Sequence, residues 1–440
     1  MNIVGDNLRK KSLFFINGIL LTFTSLILRL IGMSFSIYIS NKIGSKATGV
    51  FELVMSIYMF FVTFALSGIN LACTRVVTED IANGSNENVK ATVKKCLLYS
   101  LFFGSISSLA ICILAPFLSN VILHNQVSSL PFYAISISLP FVAMSSCING
   151  YFSAVRHVAK SAFVQILEQI IKIFSISFFI SRFMPSTVDF TIISLVLGDS
   201  LSEIISFLIL YFLYRLEKRK LIDYRYSPSK LSKKILSISM PVAITSYIKS
   251  GLSSLKQILI PISLEKYGLG CSDALSFYGM INGMAFPVIL FPNLLIMAFS
   301  GLLIPEFSYS NAKNEKNRIK YMLTQAFKYT LIFSFIVVII LVLFSKYISK
   351  SLFNEVELSK YIIYLAPLVI FMYLDNVIDS MLKGLNKQTK VMKINIIDLL
   401  TTIFFILFLL PVGGKIGYII ILYISEILNC LLSLRALLKT

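Results

Sequence analysis

Apolar stretches long enough to cross a lipid bilayer fill this chain almost from end to end. A membrane-spanning helix needs about 20 consecutive, mostly apolar residues. Such stretches lie near 14–40, 50–72, 96–122, 131–153, 162–183 and 190–214, then near 236–263, 274–304, 325–345, 360–383, 394–411 and 417–436. Lipid offers the backbone no hydrogen-bond partner, so each span must be helical. The expected fold is an all-α polytopic membrane protein with about twelve transmembrane helices. Composition agrees: 57% of residues are hydrophobic and 14% charged, against about 25% charged in soluble domains. Mean hydropathy is +0.83. Arg9, Lys10 and Lys11 precede a first span too long for a signal-peptide core and without a clear small-x-small cleavage site, which reads as an uncleaved first helix.

The second half repeats the first. Lys160, Gln165 and Glu168 recur as Lys390, Asn395 and Asp398, each 230 positions later. "RVVTEDIANGSNENVK" after span two resembles "LIPEFSYSNAKNEKNR" after span eight, which sets Glu79 opposite Glu306. Ser202-Glu203-Ile204 in span six matches Ser425-Glu426-Ile427 in span twelve. The three matches keep one order, and each half has an even number of spans. Two parallel six-helix bundles are expected, residues 1–228 and 229–440, related by an axis along the membrane normal.

The net charge of +19 would point to nucleic acid in a soluble protein. Here the basic residues sit in alternate short loops, including Lys90, Lys94 and Lys95, the stretch 215–235, and Lys313, Lys316 and Arg318. Basic loops stay cytoplasmic, so both termini and the 215–235 loop are expected inside, in a multi-pass plasma-membrane protein. Anionic lipid, not nucleic acid, is the expected partner of these loops.

Ionisable residues at membrane depth carry the functional signal. A charge at mid-bilayer costs about 2.5–3.5 kcal/mol on insertion scales, so each should face a cavity or a partner. Arg29 lies mid-span in helix one. Lys249 and Lys256 lie in helix seven, two turns apart on one face. Helices one and seven are equivalent between the halves, which predicts a central cationic cavity. Its natural guest is a phosphate or pyrophosphate, bound bidentately by Arg and as a point charge by Lys. The competing reading pairs these cations with intramembrane carboxylates. Those are Asp199 and Glu203, Asp375 and Asp379, each pair spaced i,i+4, and Glu426. They read either as a cation or proton site coupled to transport, or as counter-ions for Arg29, Lys249 and Lys256. Glu168 and Lys172, also i,i+4, read as a structural pair. Glu79, Glu306, Gln165, Glu168, Asn395 and Asp398 form the repeated motif at the cytoplasmic helix ends. Its carboxylates are expected to pair with loop Lys and Arg and to serve as gate contacts.

The remaining signals are mostly negative. Ser67-Gly68, Pro140, Pro241, Pro287, Pro292 and Pro367 interrupt spans, as suits helices that bend. The six cysteines are scattered with no CxxC pair, and His124 and His157 fall in predicted loops without a nearby acidic cluster, so neither a metal site nor a disulfide framework is expected. No nucleotide-binding or hydrolase motif appears. The chain is not expected to be an enzyme or to hold a cofactor, and transport would draw on an ion gradient, the membrane potential or substrate flux.

Residues 12–95 resemble the stage V sporulation protein B / polysaccharide-exporter family. This family belongs to the multidrug/oligosaccharidyl-lipid/polysaccharide flippase superfamily, with MATE antiporters and MurJ-type lipid II flippases. The resemblance rests on Arg29 followed by Ile31-Gly32, then Ile43-Gly44 and Gly49, then Ser67-Gly68-Ile69, and on "GYFSAVRHVAKSAFVQILEQIIKI" at 150–173. It implies a V-shaped, MATE-like twelve-helix core with alternating access, and polyprenyl-pyrophosphate-linked sugars as substrates. Phe35 and Ser36 stand where the family commonly has a second arginine, and the chain ends after helix twelve, where longer relatives add two helices thought to cradle the lipid tail.

The expected function is a flippase for a polyprenyl-linked cell-wall or polysaccharide precursor, in one reading specific to the spore envelope, acting as a monomer with a coupling cation or proton. The alternative is a MATE-like cation-coupled drug or metabolite antiporter, which would want acidic cavities for cationic guests. A third class, an assembly protein without transport, would leave every intramembrane cation fully paired.

Overall fold

The computed structural model describes residues 2–83, 88–123, 126–182, 187–218 and 228–439, with side chains described outside 2–22 and 228–230. Among these residues there are fifteen α-helices and no strand. The helices are α1 (Asn2–Leu66), α2 (Ile69–Ala82), α3 (Asn88–Phe117), α4 (Leu130–Ala154), α5 (Val158–Arg182), α6 (Val188–Lys218) and α7 (Pro228–Lys266). They continue as α8 (Cys271–Gly279), α9 (Phe286–Leu290), α10 (Asn293–Ala312), α11 (Lys316–Ile348), α12 (Leu358–Leu365), α13 (Leu368–Gly384), α14 (Gln388–Phe408) and α15 (Leu410–Leu438). His124 and the loop residues Arg219, Lys220 and Arg225 fall outside the described residues.

Among the described residues ten helical segments are long and apolar enough to cross a membrane, or eleven when α12 and α13, bent by 51°, count as one span. The difference from twelve arises at the start. Expected spans one and two run on as one helical stretch, Phe23–Ala82, of 60 residues. At 1.5 Å per residue that stretch would reach about 90 Å if straight, three times the hydrocarbon core. It is not straight. Gly44 breaks α1 with φ 78° and ψ 170°, a conformation open to glycine because it lacks a Cβ. A second break follows at Ser67 and Gly68, both with positive φ. Expected span eight is likewise divided. A π-helical turn at Met280–Ala285 leads into α9, and Pro292 starts α10.

The chain groups into two compact units. One comprises residues 1–32 and 54–254, the other 33–53 and 255–440. The long helices α1 and α7 are each divided by this grouping. In the first unit α4 packs against α2, α3 and α6, and α5 against α6. Its core joins Ile69, Val76, Val93, Phe152, Leu210 and Tyr214. In the second unit α13 packs against α10, α11 and α15, and α14 against α15.

Large apolar side chains also cover the outside. Leu109 and Ile113 of α3, and Phe335, Ile339 and Leu343 of α11, are exposed. Water would not tolerate so continuous an apolar surface, whereas lipid tails are as apolar as these side chains. The chain is a multi-pass membrane protein.

Candidate functional site

Two clusters of ionisable side chains are built inside the helical units, one in each. In the first unit α5 presents Gln165, Glu168 and Lys172 at i, i+3 and i+7, hence on one face. Helix α6 presents Asp199, Glu203 and Ser206 with the matching rhythm. The two helices pack together, and their polar stripes meet. Lys172 Nζ forms an ion pair with Asp199 Oδ1. Ser206 Oγ donates to Glu168 Oε2 at 2.6 Å. Glu203 stands within electrostatic reach of Glu168, Asp199 and Lys172. Tyr58 of α1 closes the cluster: its hydroxyl lies 2.9 Å from Ser138 Oγ, with all three carboxylates near enough to act on it.

The second unit has its own cluster on α7, α13, α14 and α15. Ser425 Oγ donates to Asp398 Oδ1 at 2.6 Å, and the Thr402 hydroxyl lies 3.0 Å from Ser425 Oγ. Asn429 Nδ2 donates to Asp375 Oδ2 at 2.9 Å. Asn429 Oδ1 is then a buried acceptor without a hydrogen-bond donor, and the Ser433 hydroxyl adjoins Asp375. Asp379 adjoins Asp375 and has Lys383 at 3.8 Å. Lys256 stands within electrostatic reach of Asp398 and Glu426.

The charge balance is the same in kind. Three carboxylates face one ammonium in the first unit. In the second, Asp398 and Glu426 face Lys256, and Asp375 and Asp379 lie near Lys383. The excess negative charge is of the sort a proton or a bound cation neutralises, and side-chain hydroxyl, amide and carboxylate oxygens are the ligands hard cations take.

The cations expected to bind substrate are placed differently from one another. Arg29 and Lys249 are exposed on α1 and α7, whereas Lys256 is half-buried beside the acidic cluster. One expected pairing gives way. Lys172 pairs with Asp199 of the neighbouring helix instead of with Glu168 one turn before it, because α6 brings a buried carboxylate directly onto the ammonium. Asp199 is thereby a counter-ion of Lys172.

The repeated motif at the helix ends also separates by chemistry. Glu79 accepts from Arg75 Nε at 3.0 Å and from Lys234 Nζ at 2.9 Å. Glu306 accepts from Arg318 at 2.9 Å. Glu168 and Asp398, expected to meet loop cations, bond to serines instead. Gln165 is exposed and Asn395 half-buried. Lys160, first of the motif, reaches Glu217, which also meets His157 Nδ1 at 2.8 Å. Glu217, Tyr58, Ser206 and Asn429 escaped the reading of the sequence. An i,i+3 extension of the Asp199–Glu203 stripe would have found Ser206. Nothing local marks the other three.

Comparison with known proteins comes from three directions. A family model described as polysaccharide biosynthesis protein matches residues 15–311, and one described as MatE matches residues 252–429. Stage V sporulation protein B of Bacillus subtilis (strain 168) is 22% identical over 429 residues, spanning 96% of this chain and 83% of the relative. Among solved structures, the inward-facing conformation of a multidrug resistance MATE family transporter of the MOP superfamily matches with a TM-score of 0.73 at 14% identity, over 94% of this chain and 99% of that one. Lipid II flippase MurJ in an inward closed conformation matches with a TM-score of 0.72 at 16% identity, over 96% of this chain and 88% of that one. The two structural likenesses establish a shared helical fold.

Proposed function

This chain belongs to the polysaccharide biosynthesis protein family, and on that premise we propose that it is a flippase carrying a polyprenyl-pyrophosphate-linked cell-wall or polysaccharide precursor across the plasma membrane by alternating access. The observation that carries the reading is the family match over residues 15–311. The likeness to stage V sporulation protein B over nearly the whole chain supports a role in the spore envelope.

The chemistry of the guest fits the cations. A pyrophosphate is a dianion or more at neutral pH and calls for an arginine fork and lysine charges. Arg29 and Lys249 are exposed at mid-span positions, where a charge against lipid would be costly. A polar substrate path relieves that cost. Lys256 has a second assignment, because Asp398 and Glu426 lie near it.

The two acidic clusters serve as proton or cation stores that drive the cycle, with Asp199 and Glu203 in one and Asp375, Asp379 and Glu426 in the other. The buried, donorless Asn429 Oδ1 beside the Asp375 carboxylate supports a cation-binding role. The same clusters, with the MatE match over residues 252–429, favour the second reading, a cation-coupled antiporter of drugs or metabolites. The paired bonds Ser206–Glu168 and Ser425–Asp398 support a duplication of residues 1–228 and 229–440. The alternation of basic loops supports cytoplasmic termini, with Glu79 and Glu306 as gate contacts on that side.

The test is transport by the purified protein in liposomes. A labelled polyprenyl-pyrophosphate sugar on the inner leaflet should become accessible to a soluble lectin outside, and Arg29→Ala or Lys249→Ala should abolish this without lowering protein abundance. Cation-driven efflux of a lipophilic cationic dye, with no sugar-lipid movement, would sink the flippase reading in favour of the antiporter.

A further inference from the structure

Three cysteines far apart in the chain share one place in the fold. Cys73 of α2, Cys96 of α3 and Cys147 of α4 are each fully buried in the core of the first unit. Their sulfur atoms all lie within 4.8 Å of one another. It is the one such group of three metal-ligating side chains among the described residues. Gly150 makes the close approach of α2 and α4 feasible, since a Cβ there would stand 2.6 Å from the Asn70 carbonyl oxygen and 3.2 Å from Cys73 Cβ.

We propose that Cys73, Cys96 and Cys147 form a binding site for a soft monovalent metal ion, Cu(I), that clamps α2, α3 and α4 together.

Softness is the first argument. Three sulfurs with no carboxylate or imidazole in the group select a thiophilic ion over a hard one. Coordination number is the second. Zn(II) in a closed protein site takes four donors. The polar side chain at hand is Ser100, whose hydroxyl is engaged with the Cys96 carbonyl at 2.9 Å. Cu(I) is satisfied by fewer ligands. With a metal–sulfur bond of about 2.3 Å, two sulfurs on opposite sides of the ion stand about 4.6 Å apart, and three around it about 4.0 Å apart. Both spacings lie within the 4.8 Å that bounds the sulfur–sulfur distances.

Charge selects between them. Each thiol that ligates as thiolate releases one proton. Two thiolates and one Cu(I) carry net charge −1, and the third cysteine keeps its proton and donates to a neighbouring sulfur. Three thiolates would carry −2, which an apolar core surrounded by Val76, Val77 and Ile148 disfavours. The bland account, that buried cysteines merely pack as small apolar groups, explains the burial of each but not their convergence from three helices.

The experiment uses the full chain in detergent under reducing, anaerobic conditions, with Cu(I) supplied from a competing chelator. A chain keeping only the three core cysteines (Cys112→Ala, Cys271→Ala, Cys430→Ala) should hold about one Cu(I) per molecule, show metal–sulfur X-ray absorption with no nitrogen or oxygen neighbours, and melt at a higher temperature than its metal-free form. The reciprocal chain (Cys73→Ser, Cys96→Ser, Cys147→Ser) should bind none, and the single change Cys96→Ser should weaken binding at least tenfold. If the chain that keeps the three core cysteines binds no more Cu(I) than a cysteine-free chain, or gains no melting temperature on loading, the site does not exist. Because that chain retains every side chain of the first unit's core, a folding defect in the reciprocal variant cannot decide the matter.

Discussion

Lys172 of α5 and Asp199 of α6 form an ion pair inside the first helical unit, with 28% of the lysine and 9% of the aspartate side chain accessible. Removing one partner of a buried pair leaves the other uncompensated, which typically costs 3–5 kcal/mol. Partial access to Lys172 puts the expected loss for Lys172→Ala at about 3 kcal/mol, the low end. The double change Lys172→Met with Asp199→Leu should recover much of it, because a packed apolar pair carries no desolvation cost. Thermal unfolding in detergent reads both. A single mutant as stable as the parent would show that the pair does not form.

Ser206–Glu168 and Ser425–Asp398 are matched hydrogen bonds, one in each unit, both 2.6 Å. Ser206→Ala and Ser425→Ala should each cost about 1–3 kcal/mol, since each leaves a buried carboxylate oxygen without its donor. If the clusters drive transport, both variants should also shift the cation or proton concentration giving half-maximal rate. A stability loss with unchanged ion dependence would assign the serines to packing alone.

Arg29→Lys tests the anion chemistry. A point charge cannot replace a bidentate fork, so transport should fall but persist, whereas Arg29→Ala should abolish it. Lys256→Ala should behave differently from Lys249→Ala. Combined with Asp398→Asn it should regain folded protein, if Lys256 balances that carboxylate. Equal transport by Arg29→Ala, Lys256→Ala and the parent would overturn the anionic-substrate reading.

Gly44 has φ 78° and ψ 170°, and a Cβ added there would meet nothing within 4 Å. Gly44→Ala is therefore a test of the backbone alone. It should cost about 1–3 kcal/mol from strain with no steric clash to confuse the result. A neutral effect on the unfolding midpoint would mean that α1 does not need this break.

Glu357 precedes α12, outside the spanning helices. The Tyr361 hydroxyl at 2.8 Å and Lys415 Nζ at 3.5 Å hold its carboxyl below the usual glutamate range, against a smaller opposing effect of burial. A depressed folded value means stability that is present above the unfolded pKa of about 4.3 and is lost as pH falls through the folded one. With 48% of the side chain accessible, screening limits the effect to a few tenths of a kcal/mol. Unfolding midpoints of the parent and Glu357→Gln should differ above pH ~5 and converge below pH ~3. An offset independent of pH would exclude this origin.

The all-helical class, the approximate span positions and the polar residues at membrane depth were legible in the chain alone. Each is a local property: apolar length sets the span, and lipid forces helical hydrogen bonding whatever the neighbours do. The i,i+4 stripes on α6 and α13 were legible for the same reason, since helical spacing assigns a face. Partner choice was not. Lys172 has Glu168 one turn away in sequence, yet Asp199 on the facing helix takes it, because the rotation of α5 against α6 decides which oxygen meets the ammonium. Cys73, Cys96 and Cys147 carry no spacing signal, since each comes from a different helix. The break of α1 at Gly44 depended on one glycine's φ, and the grouping of residues 33–53 with the second unit depended on packing. Hydrophobic length and helical period are written along the chain. The pairing of charges and thiols is set by contacts between helices distant in sequence, and these exist only once the bundle has closed.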